Sequence, residues 1–274
     1  MVKSSQMSIY GLKLINAFLA NRYYSVIPNT TLNEKFNIMT DQHIPKGTVE
    51  HPTFPKLRYF VIGTGGLDVI NSNADYKMSG HRVLDAALFN HIPFILRPVI
   101  NDITPEQRLK YRLRKELIID GQYYYAYYAK VIDLVDYRDY NFIIKKVDGQ
   151  DILSIMDEDS YTFLNPVPYF KPTDKDAVLN VDTVINRYKM EFNLSVNEQI
   201  ELQNVLSILQ LDTTKITEIG VCHGYDVIAP YGYETIDTQI SYFVDIDLDT
   251  QIDFDLTKPF ERNIELGGAE PFFR

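Results

Sequence analysis

The chain has 274 residues, a formal net charge of −10 and a sequence pI near 5.0, and this acidic balance argues against general nucleic-acid binding, which requires a cationic surface. No run of about 18 or more apolar residues predicts a transmembrane helix, and the N-terminus does not have the continuous apolar region of a signal peptide. Because Cys222 is the only cysteine, an internal disulfide framework and a cysteine-based structural zinc site are excluded.

The first predicted element is a helix over residues 7–24, where apolar residues recur at helical spacing. Residues 25–55 follow with several prolines and no sustained period. A stretch of this length without regular structure is usually functional or a linker. We therefore predict an extended arm that lies on a surface, with the surface of a neighbouring subunit as one option, and we assign Pro45 and Pro52 to that contact.

Residues 57–62 predict a buried strand that ends in the glycine-rich turn of residues 63–66. Such turns also occur in phosphate-binding proteins. The dinucleotide fingerprint would require glycine at position 68, which is Asp68, and the phosphate-loop motif would require a Gly-Lys-Ser/Thr ending. We therefore interpret the glycines as residues of a tight turn at a strand end.

A short helix within residues 74–91 and an edge strand at residues 92–98, bounded by prolines, are predicted next. Residues 104–107 have the composition of a helix start, but basic and apolar residues then alternate as on a strand. We expect a short turn and then a strand to Ile119. One face of that strand would carry a basic ladder of Arg108, Lys110, Arg112 and Arg114.

Asp120-Gly121 lies between two strand-like runs and predicts a β-hairpin. Strand-like runs separated by turn residues continue to Leu153, so we predict an antiparallel meander over residues 108–155. Three prolines in residues 157–175 then indicate a linker.

Residues 186–226 have the clearest pattern, which is strand, helix, strand. Ser195 and Glu198 form a capping-box motif at the helix start, and the second strand ends at Gly224. The apolar stripe of the helix consists of Leu202, Val205, Leu206 and Leu209. Two further strands are predicted at Thr238–Asp247 and Gln251–Leu256, followed by a tail that ends in Phe272 and Phe273.

These elements predict a mainly β protein with a few helices, an α+β fold of antiparallel meander or sandwich-like lobes. The predicted organisation is a helix and arm (residues 1–55), an antiparallel β-rich domain (56–156), a linker (157–175) and a strand–helix–strand β-rich domain with an extended C-terminal tail (176–274).

No residue set predicts a reaction. Asp245, Asp247 and Asp249 share one strand face and would suit calcium or magnesium, but a solvated face or pairing with the basic ladder is also consistent with them. Cys222 and His223 point to opposite faces of a strand, which argues against a catalytic pair. The chain has no G-x-S-x-G motif. We therefore assign no catalytic, cofactor-binding or metal-binding residue and predict that the protein is not an enzyme.

Tyr59–Leu67 (YFVIGTGGL) contains a GTG turn, and Ile216–Gly224 (ITEIGVCHG) contains an ITE-x-G strand. Together with Ala86–Glu116 and its tyrosine-rich continuation, they resemble virion structural proteins of tailed bacteriophages, especially tail and baseplate components. The resemblance implies a non-enzymatic assembly protein of the baseplate wedge or neighbouring tail region. We expect it to assemble with neighbouring virion subunits through its arms and its tyrosine-rich surfaces. It would be located in the virion and made in the host cytoplasm.

The implied partners are other virion or baseplate proteins, or the protein itself as a homo-oligomer, with no cofactor, nucleic acid or membrane. The alternative is a carbohydrate- or receptor-binding module of the virion, since exposed tyrosines also stack on sugars. A hydrolase would require His223 or His81 to lie in a pocket with a carboxylate. The predicted interface residues are Pro45, Pro52, Arg108, Arg112, Arg114, Phe272 and Phe273.

Overall fold

The computed structural model describes residues 4–22, 35, 48, 54–69, 76–78, 80–132, 138–147, 150–155, 183–211, 215–224, 242–253 and 259–269. These residues form three α-helices and fourteen strands, with a 3-10 turn at Val99–Asn101. The helices are α1 (Ile9–Leu19), α2 (Pro105–Arg108) and α3 (Val196–Ile208). The strands are β1 (Ser4–Met7), β2 (Lys56–Gly63), β3 (Leu67–Val69), β4 (Tyr76–Met78), β5 (His91–Ile92), β6 (Ile95–Pro98), β7 (Tyr111–Ile119), β8 (Gln122–Val131), β9 (Arg138–Val147), β10 (Gln150–Ile155), β11 (Thr183–Leu194), β12 (Lys215–Gly224), β13 (Tyr242–Asp253) and β14 (Phe260–Ala269).

The protein has a β-rich α+β fold, built mainly of antiparallel sheet, as the sequence predicts. The chain divides into two compact units, of which the first comprises Met1–Asp133 and Asn193–Glu261. Its eight-stranded sheet has the order β1-β13-β12-β2-β8-β6, with β5 beside β2 and β7 beside β8. The central strands are buried, with Val61 at 0% exposure on β2 and Ile219 at 1% on β12. A pair of short strands, β3 and β4, forms a separate two-stranded sheet.

The second unit comprises Leu134–Phe192 and Arg262–Arg274, and its four-stranded sheet has the order β10-β9-β11-β14. This division differs from the consecutive domains that the sequence predicts. The reason is strand pairing, because β12 and β13 from the C-terminal half pair with each other and with β2 and β1 from the N-terminal region. The predicted linker lies outside the described residues.

The β7–β8 hairpin is confirmed. Ile119 pairs with Gln122, so the connection is a two-residue turn of Asp120 and Gly121. Both turn residues have positive φ, 50° and 78° respectively. This is the backbone of a type I′ turn, whose twist matches that of the flanking strands.

Several local predictions are wrong because backbone pairing is decided by distant residues. The meander is split, since β9 pairs with β10 and β11 in the second unit while β7 and β8 belong to the first. The two predicted C-terminal strands are replaced by the single strand β13, and β14 occupies part of the predicted tail. Residues 92–98 form two short strands, β5 and β6, in place of one. The predicted helix within residues 74–91 is absent from the residues described there, which form β4 and a series of turns.

The start of α3 confirms the capping box. The Ser195 side chain accepts from the Glu198 amide, and the Glu198 side chain accepts from the Ser195 amide. On the buried face of the helix, Leu202, Val205 and Leu206 are 1%, 0% and 4% exposed. Three of the four residues of the predicted apolar stripe are therefore buried within the first unit, and the fourth, Leu209, is half-buried at the C-cap.

Glu198 also joins α3 to the sheet. Its Oε1 accepts from the hydroxyl of Tyr111 at 2.7 Å and lies 2.6 Å from Nζ of Lys130. Burial by itself raises the pKa of Glu198, but the Lys130 charge and the hydrogen bonds from Lys130, Tyr111 and Ser195 lower this pKa to about 2. The ionised carboxylate is therefore the form that stabilises the fold.

This shift predicts an acid-sensitive contribution to stability. Since the folded pKa lies below the unfolded value near 4.3, the contribution is complete above that value and is lost as the pH falls towards 2. We expect the free energy of unfolding to decline less steeply between about pH 5 and pH 2 in Glu198→Gln than in the native protein, as measured by chemical unfolding at a series of pH values. Glu116→Gln, at an exposed position of β7, should leave the native slope unchanged. Equal slopes in Glu198→Gln and the native protein would contradict the assignment.

Candidate functional site

A fully buried carboxylate lies on a central strand of the eight-stranded sheet. Glu218 is on β12, between β13 and β2, and is 0% exposed. It pairs with Gly63 at the end of β2, next to the glycine-rich turn. Burying a charge is costly unless hydrogen bonds or an opposite charge replace its water. The neighbouring loops provide those hydrogen bonds.

The carboxylate accepts four hydrogen bonds. Oε2 accepts from the backbone amides of Gly65 at 2.7 Å and Asn90 at 3.1 Å. Oε1 accepts from the backbone amide of Phe89 at 2.8 Å and lies 2.9 Å from Nε2 of His81. We call these five residues the Glu218 cluster.

The Glu218 cluster fastens two loops to each other as well as to β12. The Thr64 amide donates to the Asn90 carbonyl at 2.9 Å, and the Asn90 side chain donates to the Thr64 hydroxyl at 2.8 Å. From β12, the Thr217 hydroxyl donates to the Gly65 carbonyl at 2.7 Å. Two loops without regular structure thus obtain the fixed hydrogen-bond partners that helices and strands obtain from their own backbone.

The glycines of this turn serve different purposes. Gly66 has a φ of 78°, which agrees with the tight-turn interpretation. Gly65 is required for space, since a Cβ there would lie 2.4 Å from Phe89 Cβ and 2.6 Å from Glu218 Oε2. A Cβ on Gly63 would lie 2.5 Å from the Asn90 carbonyl oxygen and 2.6 Å from the same Oε2. The turn does bring a backbone amide, that of Gly65, to an anion, but this anion is the Glu218 side chain of the same protein.

His81 completes the cluster on its other side. The side chain is 1% exposed, and its ring stacks on Phe89 at 4.0 Å between centroids, with 12° between the planes. Its Nδ1 lies 3.8 Å from an Asp85 carboxylate oxygen. Asp85 in turn accepts from the Arg82 amide at 2.8 Å, which fixes residues 82–85 as a turn. These contacts explain why residues 80–90 do not form a helix: the Phe89 and Asn90 amides donate to Glu218 instead of to backbone carbonyls.

Two further basic side chains contact the same loop. Lys35 donates from Nζ to the carbonyls of Leu88 and Phe89, the latter at 2.9 Å. The Leu88 amide donates to Nε2 of His91 at 3.1 Å, so that nitrogen carries no proton. Burial, followed by the charges of Lys35 and His81, lowers the pKa of His91 well below its usual value. His91 is therefore a neutral acceptor that supports the loop.

The chemistry of the Glu218 cluster is structural in kind. A general base or nucleophile needs a carboxylate oxygen within reach of a substrate. Glu218 is 0% exposed, and each of its oxygens accepts two hydrogen bonds from the protein. The arrangement fixes backbone geometry around β2 and β12.

Cys222 and His223 are consecutive on β12, where the pairing with β2 contains a bulge. Cys222 is 1% exposed, and burial raises the pKa of its thiol well above the usual value. Burial lowers the pKa of His223 to about 3. The thiol and the imidazole are therefore both neutral near pH 7.

The basic ladder predicted for residues 108–114 is wrong as a single strand face, because Arg108 ends α2 and β7 begins at Tyr111. Arg108 lies 2.6 Å from an Asp102 oxygen, and the guanidinium of Arg114 covers the Tyr125 ring at 4.3 Å from its centroid. Arg112 is 6% exposed and donates to the Tyr111 carbonyl at 3.0 Å. These three arginines thus make intramolecular contacts within the first unit.

Strand β13, which carries Asp245, Asp247 and Asp249, is separated from β7 by β12, β2 and β8 in the sheet. The acidic strand does not pair with the strand that carries Arg112 and Arg114. The side chains of Asp245, Asp247 and Asp249 lie outside the described part of the molecule, as do Pro45, Pro52, Phe272 and Phe273. In the described residues, no group of three or more histidine, cysteine, aspartate or glutamate side chains is placed to hold a metal ion. Among the described helices, none is long and apolar enough to cross a membrane.

The sequence predicts the turn at residues 63–66 and the strand at Ile216–Gly224, but not their connection through Glu218. One feature of the sequence does point to that connection. Glu218 is a charged residue within an apolar strand, and β12 is buried on both faces from Ile216 to Cys222. A carboxylate at such a position must have several donors nearby, and the glycine-rich turn was a candidate source.

The fold and the Glu218 cluster define a β-rich α+β protein in which a buried carboxylate fastens two loops to a central sheet. The chain belongs to the family of unknown function DUF7208, whose model matches residues 2–274. No curated protein and no solved structure matches it.

Proposed function

We propose that this protein is a non-enzymatic structural component of a bacteriophage tail or baseplate, which assembles with neighbouring virion subunits. One observation carries the proposal: the three segments that resemble phage tail proteins meet at one place. Gly65 comes from the first segment, Phe89 and Asn90 from the second, and Glu218 from the third. The Glu218 cluster requires residues from all three segments, which gives a physical reason why the three patterns occur in one chain.

The chemistry of the cluster supports the same proposal. The most deeply buried carboxylate in the described residues is used to hold loops, and its oxygens are occupied by the protein's own donors. Rigid loops suit a scaffold, because an ordered surface loses less conformational entropy when a partner binds. The proposed location is the virion, after synthesis in the host cytoplasm, and the proposed partners are other tail or baseplate proteins or further copies of this chain.

The hydrolase alternative has one observation in its favour, since His81 does lie 2.9 Å from a carboxylate. That carboxylate is Glu218, and the side chains of the pair are 1% and 0% exposed. A substrate would have to displace the loop at residues 88–90 to reach it. The pair is better suited to fixing the loop than to proton transfer.

Assembly is tested with the proteins encoded next to this one. We expect the purified chain to form a larger stable complex with at least one of them, measured as molar mass by light scattering. Phe272 and Phe273 are the predicted anchors, so the double variant Phe272→Ala/Phe273→Ala should bind at least about tenfold more weakly, as aromatic anchors at interfaces often do. Ile100→Ala, which removes an apolar side chain of a residue that is 98% exposed, is the control and should assemble normally.

A chain that ignores these proteins but binds a glycan array would overturn the assembly role and favour the carbohydrate- or receptor-binding module. In that case Tyr123→Ala becomes the informative variant, since an exposed tyrosine ring is a surface on which a sugar stacks. Assembly that is unaffected by the paired phenylalanine substitution would move the interface elsewhere and reject Phe272 and Phe273 as anchors.

A further inference from the structure

Two consecutive peptide groups lie between a buried carboxylate and an ammonium. The peptide that joins Leu88 to Phe89 donates its N–H to Glu218 Oε1 and accepts at its carbonyl from Lys35 Nζ. The next peptide, from Phe89 to Asn90, donates its N–H to Glu218 Oε2 and accepts from the same Nζ. Both oxygens of the carboxylate are thus linked to the ammonium through one peptide each.

The orientation of these peptides is electrostatically favourable. A peptide group has its positive end at the N–H and its negative end at the carbonyl oxygen. Here each positive end faces the Glu218 carboxylate, and each negative end faces Lys35. Hydrogen bonds in series strengthen one another, so the carboxylate makes each carbonyl a better acceptor for a cation.

The contact is specific for a compact cation with several donors. A primary ammonium has three N–H groups that rotate freely, whereas a guanidinium is planar and fixed. The Lys35 side chain is half-buried, and burial lowers its pKa, although the charges of Glu218 and Asp85 oppose that change. The chain at Lys35 is held from a second side, since Lys115 donates to the Lys35 carbonyl at 2.7 Å.

We propose that the carbonyls of Leu88 and Phe89, backed by Glu218, form a primary-ammonium binding site that Lys35 occupies, and that this contact fixes the loop at residues 88–90. The loop provides the acceptors of the site, and Lys35 provides the ammonium. The site stands apart from the assembly role and is tested without any partner protein.

The first experiment removes the ammonium and follows the loop on the other side of the peptides. In Lys35→Met, which keeps an unbranched side chain but has no charge, amide hydrogen exchange at Phe89 and Asn90 should become about tenfold faster, since the loop loses its hydrogen bonds to a charged group. Lys13→Met, at an exposed position of α1, is the matched control and should not change these rates. Unchanged exchange in Lys35→Met would overturn the proposed primary-ammonium site.

The second experiment refills the site with a free ligand. Lys35→Ala should melt several degrees below the native protein, and n-butylammonium chloride should raise its melting temperature towards the native value. Tetramethylammonium chloride at equal ionic strength has no N–H donor and should not. An equal response to both salts, or no response to either, would overturn the assignment of a primary-ammonium site. The native protein, whose site is occupied by Lys35, should respond to neither salt.

Discussion

Replacement of Glu218 by alanine is expected to lower the free energy of unfolding by about 4 kcal/mol, because removal of one partner from a buried charged network costs about 3–5 kcal/mol. The substitution removes a fully buried acceptor and leaves the amides of Gly65, Phe89 and Asn90 without the carboxylate to which they donate. For a unit of this size the melting temperature should fall by roughly 10 °C, as followed by circular dichroism.

Glu201→Ala is the matched control for this experiment. Glu201 forms an ion pair with Arg97 in the same unit, but the two side chains are 24% and 29% exposed. Exposed or half-exposed pairs contribute about 0–1 kcal/mol, so the control should melt within a few degrees of the native protein. If the two variants lose equal stability, Glu218 does not have the central role assigned to it.

Replacement of Gly65 by alanine should cost about 3 kcal/mol, the upper end of the usual cost of overpacking. The new methyl group would lie 2.4 Å from Phe89 Cβ, 2.6 Å from Glu218 Oε2 and 3.0 Å from the Asn90 amide nitrogen. Relief of these contacts requires the turn at residues 63–66 to move away from Glu218 and from the loop at residues 88–90, which weakens the hydrogen bonds of Gly65 to Glu218 and of Thr64 to Asn90. The loss is measured by thermal or chemical unfolding.

Gly121→Ala separates this steric cost from the general cost of replacing a glycine. A Cβ on Gly121 has nothing within 4 Å, and the only penalty arises from its φ of 78°. That penalty is about 1 kcal/mol. A Gly65→Ala variant that is no less stable than Gly121→Ala would show that the loops can move apart freely, contrary to the geometry described above.

Features with a local cause could be predicted from the sequence. The Ser195–Glu198 capping box and the Asp120-Gly121 turn depend on residues within three positions of each other, and the structure contains both. The apolar stripe at Leu202, Val205 and Leu206 follows from helical geometry alone. For the same reason the fold class could be predicted, because it depends on the number and type of such local patterns.

The Glu218 cluster could not be predicted because its members are distant in sequence. Glu218 lies 153 residues from Gly65, 137 from His81 and 128 from Asn90. Hydrophobic periodicity shows which residues are buried, but it does not show which loop supplies the donors for a buried carboxylate. The split of the predicted meander has the same origin, since β9 pairs with the distant strand β11 and β8 pairs with β2, β6 and β7.

The order of strands in the first unit has a consequence for how this protein folds during synthesis. The first strand, β1, pairs with β13, so that Ser4 lies opposite Leu248. β1 therefore waits for its partner until the chain has been made as far as Leu248, at about 5–20 residues per second. Until then β1 presents an open edge, as does β12 once it has been made, and other chains can pair with such edges. Strand pairs between residues distant in sequence form slowly. We therefore expect the pairing of β13 with β1 and β12 to be the step that completes the eight-stranded sheet.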